Sequence, residues 1–333
     1  MSQNAEIITG LFREGQLITL SGGFRMGKSP LLLDWAFSIT TGTPWCGRKV
    51  MPHPVVLLSH ETPDWQFRPD WERLAAQRGV APPCEPTMFE AFLEAGSEDS
   101  PATKELVDVI CKPQSERFRW LEAKVLTKPN ALLIIDPFDM FFRIEKKSIP
   151  IMEIYHFCRM LKRKSPLVTF LFTFNLRKKM RLAGQQPSLL DDPQDWLEEA
   201  SGHLEIQTRS DVRLGLAHQG NSADGIRILN GVRRGSDSIE PMFLESRVVG
   251  ESEEGYPLFA GYQPIKMSSL DLSLILSKTM ERAWNEVADT FTLDDLENMG
   301  MTRSSAYRMI ERLLNAGVAK KVEKGVWKKE FHP

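Results

Sequence analysis

Residues 17–37, LITLSGGFRMGKSPLLLDWAF, decide the fold of this chain. The apolar run from Leu17 to Leu20 predicts a strand, residues 22–29 read G-x-x-x-x-G-K-S, and the apolar run after Pro30 predicts a buried helix. A strand, a glycine-rich loop and a helix in this order are typical of a P-loop. A plain glycine turn between a strand and a helix is the alternative interpretation.

A P-loop turns its backbone N–H groups towards phosphate oxygens, and it needs glycine where a Cβ would block that approach. The start of the following helix adds partial positive charge. We expect Lys28 to reach the β- and γ-phosphates of ATP and the Ser29 hydroxyl to bind Mg²⁺. The predicted nucleotide-binding residues of the loop are Gly22, Gly23, Phe24, Arg25, Met26, Gly27, Lys28, Ser29 and Pro30.

The composition is that of an ordinary globular protein, with 42% hydrophobic and 26% charged residues. The net charge of −2 excludes a uniformly basic nucleic-acid binder, so any contact with nucleic acid would come from a local patch or a pore. The four cysteines are far apart in the sequence and predict neither a zinc site nor a disulfide framework. We expect a cytoplasmic protein without a signal peptide or a membrane-spanning segment.

Two acidic residues follow predicted strands that lie after the P-loop in the sequence. Residues 55–59, VVLLS, predict a strand, and Glu61 comes just after it. Glu61 is our candidate for the residue that polarises the attacking water. Stabilisation of the next helix's dipole is the alternative role.

Residues 132–136, LLIID, read as a buried parallel strand that ends in a Walker B acid, Asp136, which is expected to hold Mg²⁺. Asp139 is a second acid in the following loop.

A further apolar strand is predicted in SPLVTFLFTFN, which ends at Asn175. A basic run of Arg177, Lys178, Lys179 and Arg181 follows it. We predict that this run contacts the γ-phosphate or a polyanion at the same edge of the sheet, with a solvated loop as the alternative. Segments between residues 200 and 236 alternate apolar and polar residues and predict the strands that complete the sheet.

The last part of the chain differs in character. Residues 270–333 predict a helix, a turn, a second helix and a hairpin near Lys324, which is a winged helix-turn-helix pattern. Residues 302–333 contain eight Lys or Arg and three Glu, a local charge of +5. DNA contact is predicted for Arg303, Arg308 and Arg312 near the recognition helix and for Lys324 in the wing. Protein docking is the alternative role.

Residues 10–245 resemble the RecA-fold ATPases of the plasmid RepA type, which are relatives of the DnaB-like hexameric replicative helicases. The resemblance rests on SGGFRMGKS, TTGTPWCGRKVMPHPVVLLSHET, RLAAQRG, LLIIDPFDMFF and LFTFNLRKK. It implies an α/β fold, a RecA-like P-loop NTPase core with a mainly parallel sheet flanked by helices. We therefore predict an ATPase domain (1–245), a linker (246–269) without clear periodicity, and a winged-helix domain (270–333).

The resemblance also implies roles for particular residues. It favours Glu61 as the catalytic carboxylate. The family often carries a His-x-x-Lys sensor of the γ-phosphate, and here Asn175 and Lys178 occupy its two positions. In the segment NGVRRGSD the family places basic fingers that reach a neighbouring subunit's nucleotide, which implies this role for Arg233 or Arg234. Gly231 stands where the accompanying lysine is expected.

These observations lead to the following functional hypotheses. The first is an ATP-driven DNA helicase of DNA replication, assembled as a hexameric ring with single-stranded DNA in its central channel and gripped by loops that include Arg177 and Lys179. The winged helix would then bind duplex DNA or a partner. The second is an ATP-gated DNA-binding initiator, regulator or defence protein without translocation. The third is a catalytically weak P-loop scaffold.

Overall fold

The structure is a computed structural model of the chain. It describes residues 4–59, 62, 64–81, 88–93, 116–128, 130–138, 143–144, 147–148, 151–176, 188–198, 209–218, 225–235, 238–251, 257–266, 268 and 272–330.

Sixteen strands lie in the described part of the chain. In chain order they are β1 (Glu6–Ile8), β2 (Phe12–Arg13), β3 (Leu17–Gly22), β4 (Val55–Ser59), β5 (Phe89–Leu93), β6 (Leu132–Asp136), β7 (Arg143–Ile144), β8 (Lys147–Ser148), β9 (Thr169–Asn175), β10 (Val212–His218), β11 (Ile226–Arg233), β12 (Ser238–Glu251), β13 (Pro257–Ile265), β14 (Thr290–Thr292), β15 (Ala319–Glu323) and β16 (Val326–Lys329).

The helices of the described residues are, in chain order, α1 (Lys28–Thr41), α2 (Asp64–Arg78), α3 (Glu116–Leu126), α4 (Ile151–Lys164), α5 (Pro193–Glu198), α6 (Leu272–Ile275), α7 (Lys278–Glu286), α8 (Leu293–Asn298) and α9 (Arg303–Asn315). Residues 31–40 of α1 are all buried, as the apolar run after the glycine loop predicts.

One nine-stranded sheet organises the first part of the chain, in the order β13-β12-β11-β10-β3-β9-β6-β4-β5. The six strands from β10 to β5 in this order are parallel, and β11, β12 and β13 extend the sheet by antiparallel pairing. The P-loop strand β3 is separated from the Walker B strand β6 by β9, which is the RecA-like strand order. The predicted fold class is therefore confirmed for the core: a mainly parallel sheet flanked by helices.

The two faces of this sheet are covered by different helices. On one face α1 and α2 pack over a core that includes Leu20, Trp35 and Trp71. On the other face α3 and α4 cover a second core, with Leu133 and Phe170 from the sheet. Because both faces are buried, the parallel strands are apolar along nearly their whole length.

The range 246–269, predicted as a linker, contains paired strands. Residues of this range continue β12 and form β13. The two strands pair in an antiparallel way, with Phe243 opposite Ile265 at one end and Glu251 opposite Pro257 at the other. The prediction of a linker was wrong for these residues, because the segment's Gly and Pro and its irregular register hide the period-2 pattern of a strand. The pairing shifts twice along this hairpin, which is typical of β-bulges.

The C-terminal part contains α7, α8, α9 and a three-stranded sheet of order β14-β16-β15. Each of the three helices begins at a residue whose hydroxyl accepts a backbone N–H of the first turn: Ser277, Thr292 and Thr302. This element order is what the winged-helix prediction requires, and the assignment itself stays a prediction. In the described residues, no helix has the length and apolar character needed to cross a bilayer.

Candidate nucleotide-binding site

The glycine-rich loop lies between the last residue of β3, Gly22, and the first residue of α1, Lys28. Gly27 adopts a left-handed backbone conformation with φ 92°, and a Cβ there would lie 2.5 Å from the Tyr262 hydroxyl. Only glycine fits this position. On the outer side of the loop Phe24 is 70% exposed, and the Arg25 guanidinium lies 5.4 Å from its ring centroid. Pro30 lies in the first turn of α1, where proline is tolerated.

The Lys28 side chain is buried and lies at the carboxyl edge of the sheet. Its Nζ donates to Gly22 O (3.2 Å), Gly23 O (3.0 Å) and Asn175 Oδ1 (2.8 Å). Asn175 ends β9 directly opposite Gly22 of β3. The structure thus brings the P-loop lysine together with the residue at the predicted sensor position.

Asp136 ends β6 next to the P-loop and is buried. Thr173 Oγ1 donates to Asp136 Oδ1 at 2.5 Å, and the Ser29 side chain also hydrogen-bonds this carboxyl group. Burial raises the pKa of Asp136, while these two hydrogen bonds and the charge of Lys28 act in the opposite direction. Thr173 was not predicted, although a threonine within the apolar strand TFLFTFN is a signal for a buried polar partner.

A cavity of about 190 Å³ opens beside Ser29 and Asp136. Its polar lining also includes Ser59, Thr62, Gln66 and Asp70. A hydroxyl and a carboxylate next to open space suit Mg²⁺, which prefers oxygen ligands and keeps several waters and phosphate oxygens in its shell. The residues present therefore fit the predicted metal, which Ser29 would bind and Asp136 would hold through the water shell.

Asp70, on α2, is a buried acid in this cavity that the sequence did not single out. Burial raises its pKa, and a hydrogen bond from Arg73 acts in the opposite direction. Arg73 Nε also donates to Phe259 O on β13 at 3.2 Å. This pair therefore links the cavity wall to the outer antiparallel part of the sheet.

Two further side chains from the outer strands contact the P-loop. Arg227 Nε, on β11, donates to Met26 O at 2.9 Å, and the Tyr262 hydroxyl, on β13, donates to Gly27 O at 3.1 Å. Sequence reasoning missed both residues. Tyr262 lies in the segment predicted as a linker, and Arg227 looks like any polar residue of an alternating strand.

The P-loop helix is held by a buried carboxylate, Asp34. Its Oδ2 accepts from Trp45 Nε1 (2.8 Å) and from the Tyr262 backbone N–H (3.0 Å), and its Oδ1 pairs with Arg78 of α2. Burial raises the pKa of Asp34, and the Arg78 guanidinium lowers it. One carboxylate thus ties together α1, α2 and β13.

The two predicted finger arginines lie away from the P-loop of their own chain. Arg233 pairs in register with Val212, which is opposite Ile18, whereas the P-loop follows Gly22 at the other end of β3. Its Nη2 donates to Gly10 O at 2.6 Å, and Arg234 is exposed in the turn after β11. At Gly231 a Cβ would lie 2.2 Å from Arg213 O, so the position has no room for the lysine that the resemblance leads one to expect.

Six predicted residues lie outside the described part of the chain: Glu61, Asp139, Arg177, Lys178, Lys179 and Arg181. Their roles stay predictions.

The arginines of α9 do not share one exposed face, contrary to the prediction of a common DNA-binding role. Arg312 is buried, with Nη1 2.7 Å from Asp191 Oδ1 and Nη2 2.9 Å from Leu190 O. Arg308 donates to Asp191 O and lies 3.5 Å from Asp192 Oδ1. Helical spacing turns these residues inward, towards the segment before α5, while Arg303 and Lys324 are exposed.

One protein family matches the first half of the chain. The profile of the AAA domain family matches residues 2–162. This stretch resembles an AAA domain. It contains the P-loop and Asp136, whereas Asn175, Arg227 and Tyr262 lie beyond it. Among curated proteins, none matches the sequence.

Three solved structures are similar to the chain at low identity. A KaiC-like protein from the hyperthermophilic archaeon Pyrococcus horikoshii is 12% identical (TM-score 0.48), with 79% of this chain and 99% of that chain covered. The RadB recombinase is 15% identical (TM-score 0.45; 76% and 91% covered). The flagellar accessory protein FlaH from Methanocaldococcus jannaschii is 11% identical (TM-score 0.45; 76% and 90% covered).

Proposed function

We propose that this protein is an ATP-hydrolysing, DNA-associated motor that works as a ring, expected to be a hexamer, on single-stranded DNA. The observation that carries the proposal is the convergence of Lys28, Asp136 and Asn175 at the carboxyl ends of three adjacent parallel strands. In an open parallel sheet this edge is where ligands bind. The match of residues 2–162 to the AAA domain supports the same interpretation.

Each candidate residue would have a role in the transfer of the γ-phosphoryl group to water. Lys28 would neutralise charge on the β- and γ-phosphates, and Ser29 and Asp136 would hold Mg²⁺, which neutralises charge on the phosphoryl oxygens. Glu61 would orient the attacking water. The Asn175 amide can hydrogen-bond a phosphate oxygen or this water without titrating.

A ring explains the position of Arg233. This residue lies at the amino-terminal edge of the parallel strands, whereas the P-loop of its own chain lies at the carboxyl-terminal edge. In a head-to-tail assembly the same surface can meet the nucleotide of the next copy. Arg233, or Arg234 beside it, would then supply positive charge to the transition state in trans, a contribution of about 10³–10⁵ in rate in related phosphoryl-transfer systems. The near-neutral net charge agrees with this model, because a ring concentrates a few basic loops in one channel.

The experiment that tests the proposal measures ATP hydrolysis with Mg²⁺, with and without single-stranded DNA at low salt, for wild type and Lys28→Ala. We expect DNA to stimulate the wild type and Lys28→Ala to be inactive in both conditions. The mass of the assembly with a non-hydrolysable ATP analogue gives the number of subunits. Absence of stimulation by DNA at low salt would reject the motor.

A second candidate is an ATP-gated DNA-binding protein that does not translocate. The contacts of Arg308 and Arg312 with the segment before α5 favour it, because they fix the C-terminal helices on the nucleotide-binding core. A shared apolar cluster, including Trp196, Phe243 and Met309, does the same. A strand-displacement assay separates the candidates, since only the motor unwinds a duplex with a single-stranded tail while it hydrolyses ATP.

A further inference from the structure

We propose that Arg227 and Tyr262 are positioning residues for phosphate binding. Together they form a brace (Arg227 and Tyr262) that turns two P-loop carbonyl groups outward, so that the adjoining N–H groups face the phosphates. The inference rests on the proposed binding of nucleotide at the P-loop. It assigns a role to the outer antiparallel strands β11 and β13, which the resemblance to ATPases does not explain.

The brace contacts consecutive peptide groups of the loop. Arg227 Nε donates to Met26 O at 2.9 Å, and the same guanidinium is fixed by a second bond, from Nη1 to Gly225 O at 2.8 Å. The Tyr262 hydroxyl donates to Gly27 O at 3.1 Å. Gly27 O also accepts the Leu31 N–H at 3.1 Å, the first hydrogen bond of α1. Tyr262 therefore uses the remaining lone pair of that oxygen.

Peptide planarity converts these contacts into an orientation of the N–H groups. In a trans peptide the C=O and the N–H of the next residue point in opposite directions. Holding Met26 O against Arg227 directs the Gly27 N–H to the other side, and holding Gly27 O against Tyr262 does the same for the Lys28 N–H. A P-loop binds phosphate through such N–H groups.

The brace fits closely around the loop. A Cβ on Gly27 would lie 2.5 Å from the Tyr262 hydroxyl and 3.0 Å from Arg227 Nε. The two side chains also contact each other, with the guanidinium 5.6 Å from the Tyr262 ring centroid. These contacts hold the two carbonyl groups in one orientation before nucleotide arrives, so less entropy is lost on binding.

Tyr262 is itself fixed in place. It is only 6% exposed, and its backbone N–H donates to Asp34 Oδ2 at 3.0 Å. Asp34 is a residue of the P-loop helix α1. Burial raises the pKa of Tyr262 to about 12, so the hydroxyl keeps its proton at physiological pH and remains a donor. The brace is thus anchored in the same core that holds α1.

The test uses the full-length protein and three variants: Arg227→Gln, Arg227→Lys and Tyr262→Phe. Arg213→Gln is the matched control. Arg213 is also a partly buried arginine, and it lies on the neighbouring strand β10. It is five residues away from the end of β10 that lies near the P-loop. The dissociation constants of Mg-ADP and of Mg-tripolyphosphate, which lacks a base and a ribose, are measured by calorimetry. KM and kcat for ATP are measured alongside, with thermal melting of the ligand-free chains.

We expect Arg227→Gln to raise both dissociation constants by about tenfold and Tyr262→Phe by about threefold, as for loss of one orienting hydrogen bond. Equal effects on ADP and tripolyphosphate show that the phosphate site is affected. KM should rise with little change in kcat, because the brace acts equally on ground state and transition state. Arg227→Lys keeps the charge and loses the second, fixing bond, so we expect an intermediate value.

Wild-type dissociation constants in folded Arg227→Gln and Tyr262→Phe would overturn the inference. So would an equal loss in the Arg213→Gln control, since the effect would then be a general loss of structure. If Arg227→Gln does not fold, Arg227→Lys and Tyr262→Phe decide. Failure of the wild type to bind either ligand is a different result, because it would reject the proposed nucleotide site itself.

Discussion

Asn175 Oδ1 accepts a hydrogen bond from Lys28 Nζ at 2.8 Å, across the paired ends of β9 and β3. Two P-loop carbonyl oxygens, of Gly22 and Gly23, accept from the same ammonium group. A lysine has three N–H donors, so a phosphate oxygen must compete with these acceptors for Lys28. Binding of nucleotide is thereby coupled to the position of the Asn175 side chain.

Substitution of Asn175 tests this coupling. We expect Asn175→Asp to weaken Mg-ATP binding by about 100-fold, because a carboxylate beside Lys28 pairs with the ammonium group and repels the phosphates. Asn175→Ala should change affinity by less than about threefold, since it removes an acceptor without adding charge. Titration with a fluorescent, non-hydrolysable ATP analogue in the presence of Mg²⁺ measures both. Equal affinities of the two variants would show that Asn175 does not face the phosphates.

The buried Asp136 carboxyl group should destabilise the ligand-free chain and stabilise the Mg-ATP complex. Asp136→Asn keeps an acceptor for Thr173 and removes the buried charge, so we expect the ligand-free melting temperature to rise by roughly 2–5 °C. The stabilisation that Mg-ATP gives the wild type should disappear in the variant. Scanning calorimetry with and without Mg-ATP measures both effects.

The pH dependence of this difference has a defined sign. Burial is the main cause that raises the pKa of Asp136 in the folded chain. The protonated Asp136 carboxyl group therefore contributes its full stability below the ordinary pKa of 3.8. This contribution is lost as pH rises through the pKa of the folded chain. The advantage of Asp136→Asn should therefore be larger at neutral than at acidic pH. An advantage that shrinks as pH rises would contradict the assignment.

The parts of the site that the sequence predicted follow from a motif and from strand ends. Lys28 begins α1 within the G-x-x-x-x-G-K-S motif after β3, whereas Asp136 and Asn175 each end a strongly apolar strand. Parallel strands bring these points to one edge of the sheet. Arg227 and Tyr262 could not be found in this way, because their contacts with the P-loop join segments about 200 or more residues apart through antiparallel strands. Asp34 could not be found either, because it lies inside the apolar run of α1 and not at a strand end. Arg312 was misassigned because its charge suggested exposure, while its partner Asp191 is 121 residues away in the sequence.

A finger arginine that acts in trans predicts complementation between two inactive variants. Arg233→Ala should lower ATP hydrolysis by about 10³-fold or more if Arg233 is the finger. A one-to-one mixture of Arg233→Ala and Lys28→Ala should recover up to about one quarter of the wild-type rate. This is the fraction of subunit interfaces at which an intact P-loop faces an intact Arg233. Arg234→Ala, mixed with Lys28→Ala in the same way, tests the alternative finger. A mixture no more active than its components would show that Arg233 does not complete a neighbour's site.

The exposed basic residues of the C-terminal part should contribute to DNA affinity through phosphate contacts. We expect Arg303→Ala and Lys324→Ala each to weaken binding to DNA of any sequence and to reduce the salt slope by about 1. Arg282→Ala, on α7, is an exposed control that removes the same charge outside α9 and the β15–β16 hairpin. Fluorescence anisotropy at several salt concentrations measures the slopes. Unchanged slopes in both variants would favour protein docking as the role of this surface.

Arg312 and Asp191 should contribute to stability as a buried pair. Their side chains are 7% and 12% exposed, and Arg312 Nη1 also donates to Ile275 O at 3.1 Å. Removal of one member leaves a buried charge without its counter-ion, so we expect Arg312→Leu or Asp191→Leu to lower the free energy of unfolding by about 3–5 kcal/mol. The double variant should lose less than the sum of the two, because neither charge is then left unpaired. Denaturant titration of the four chains measures the coupling, and strict additivity would show that the two charges do not stabilise the chain as a pair.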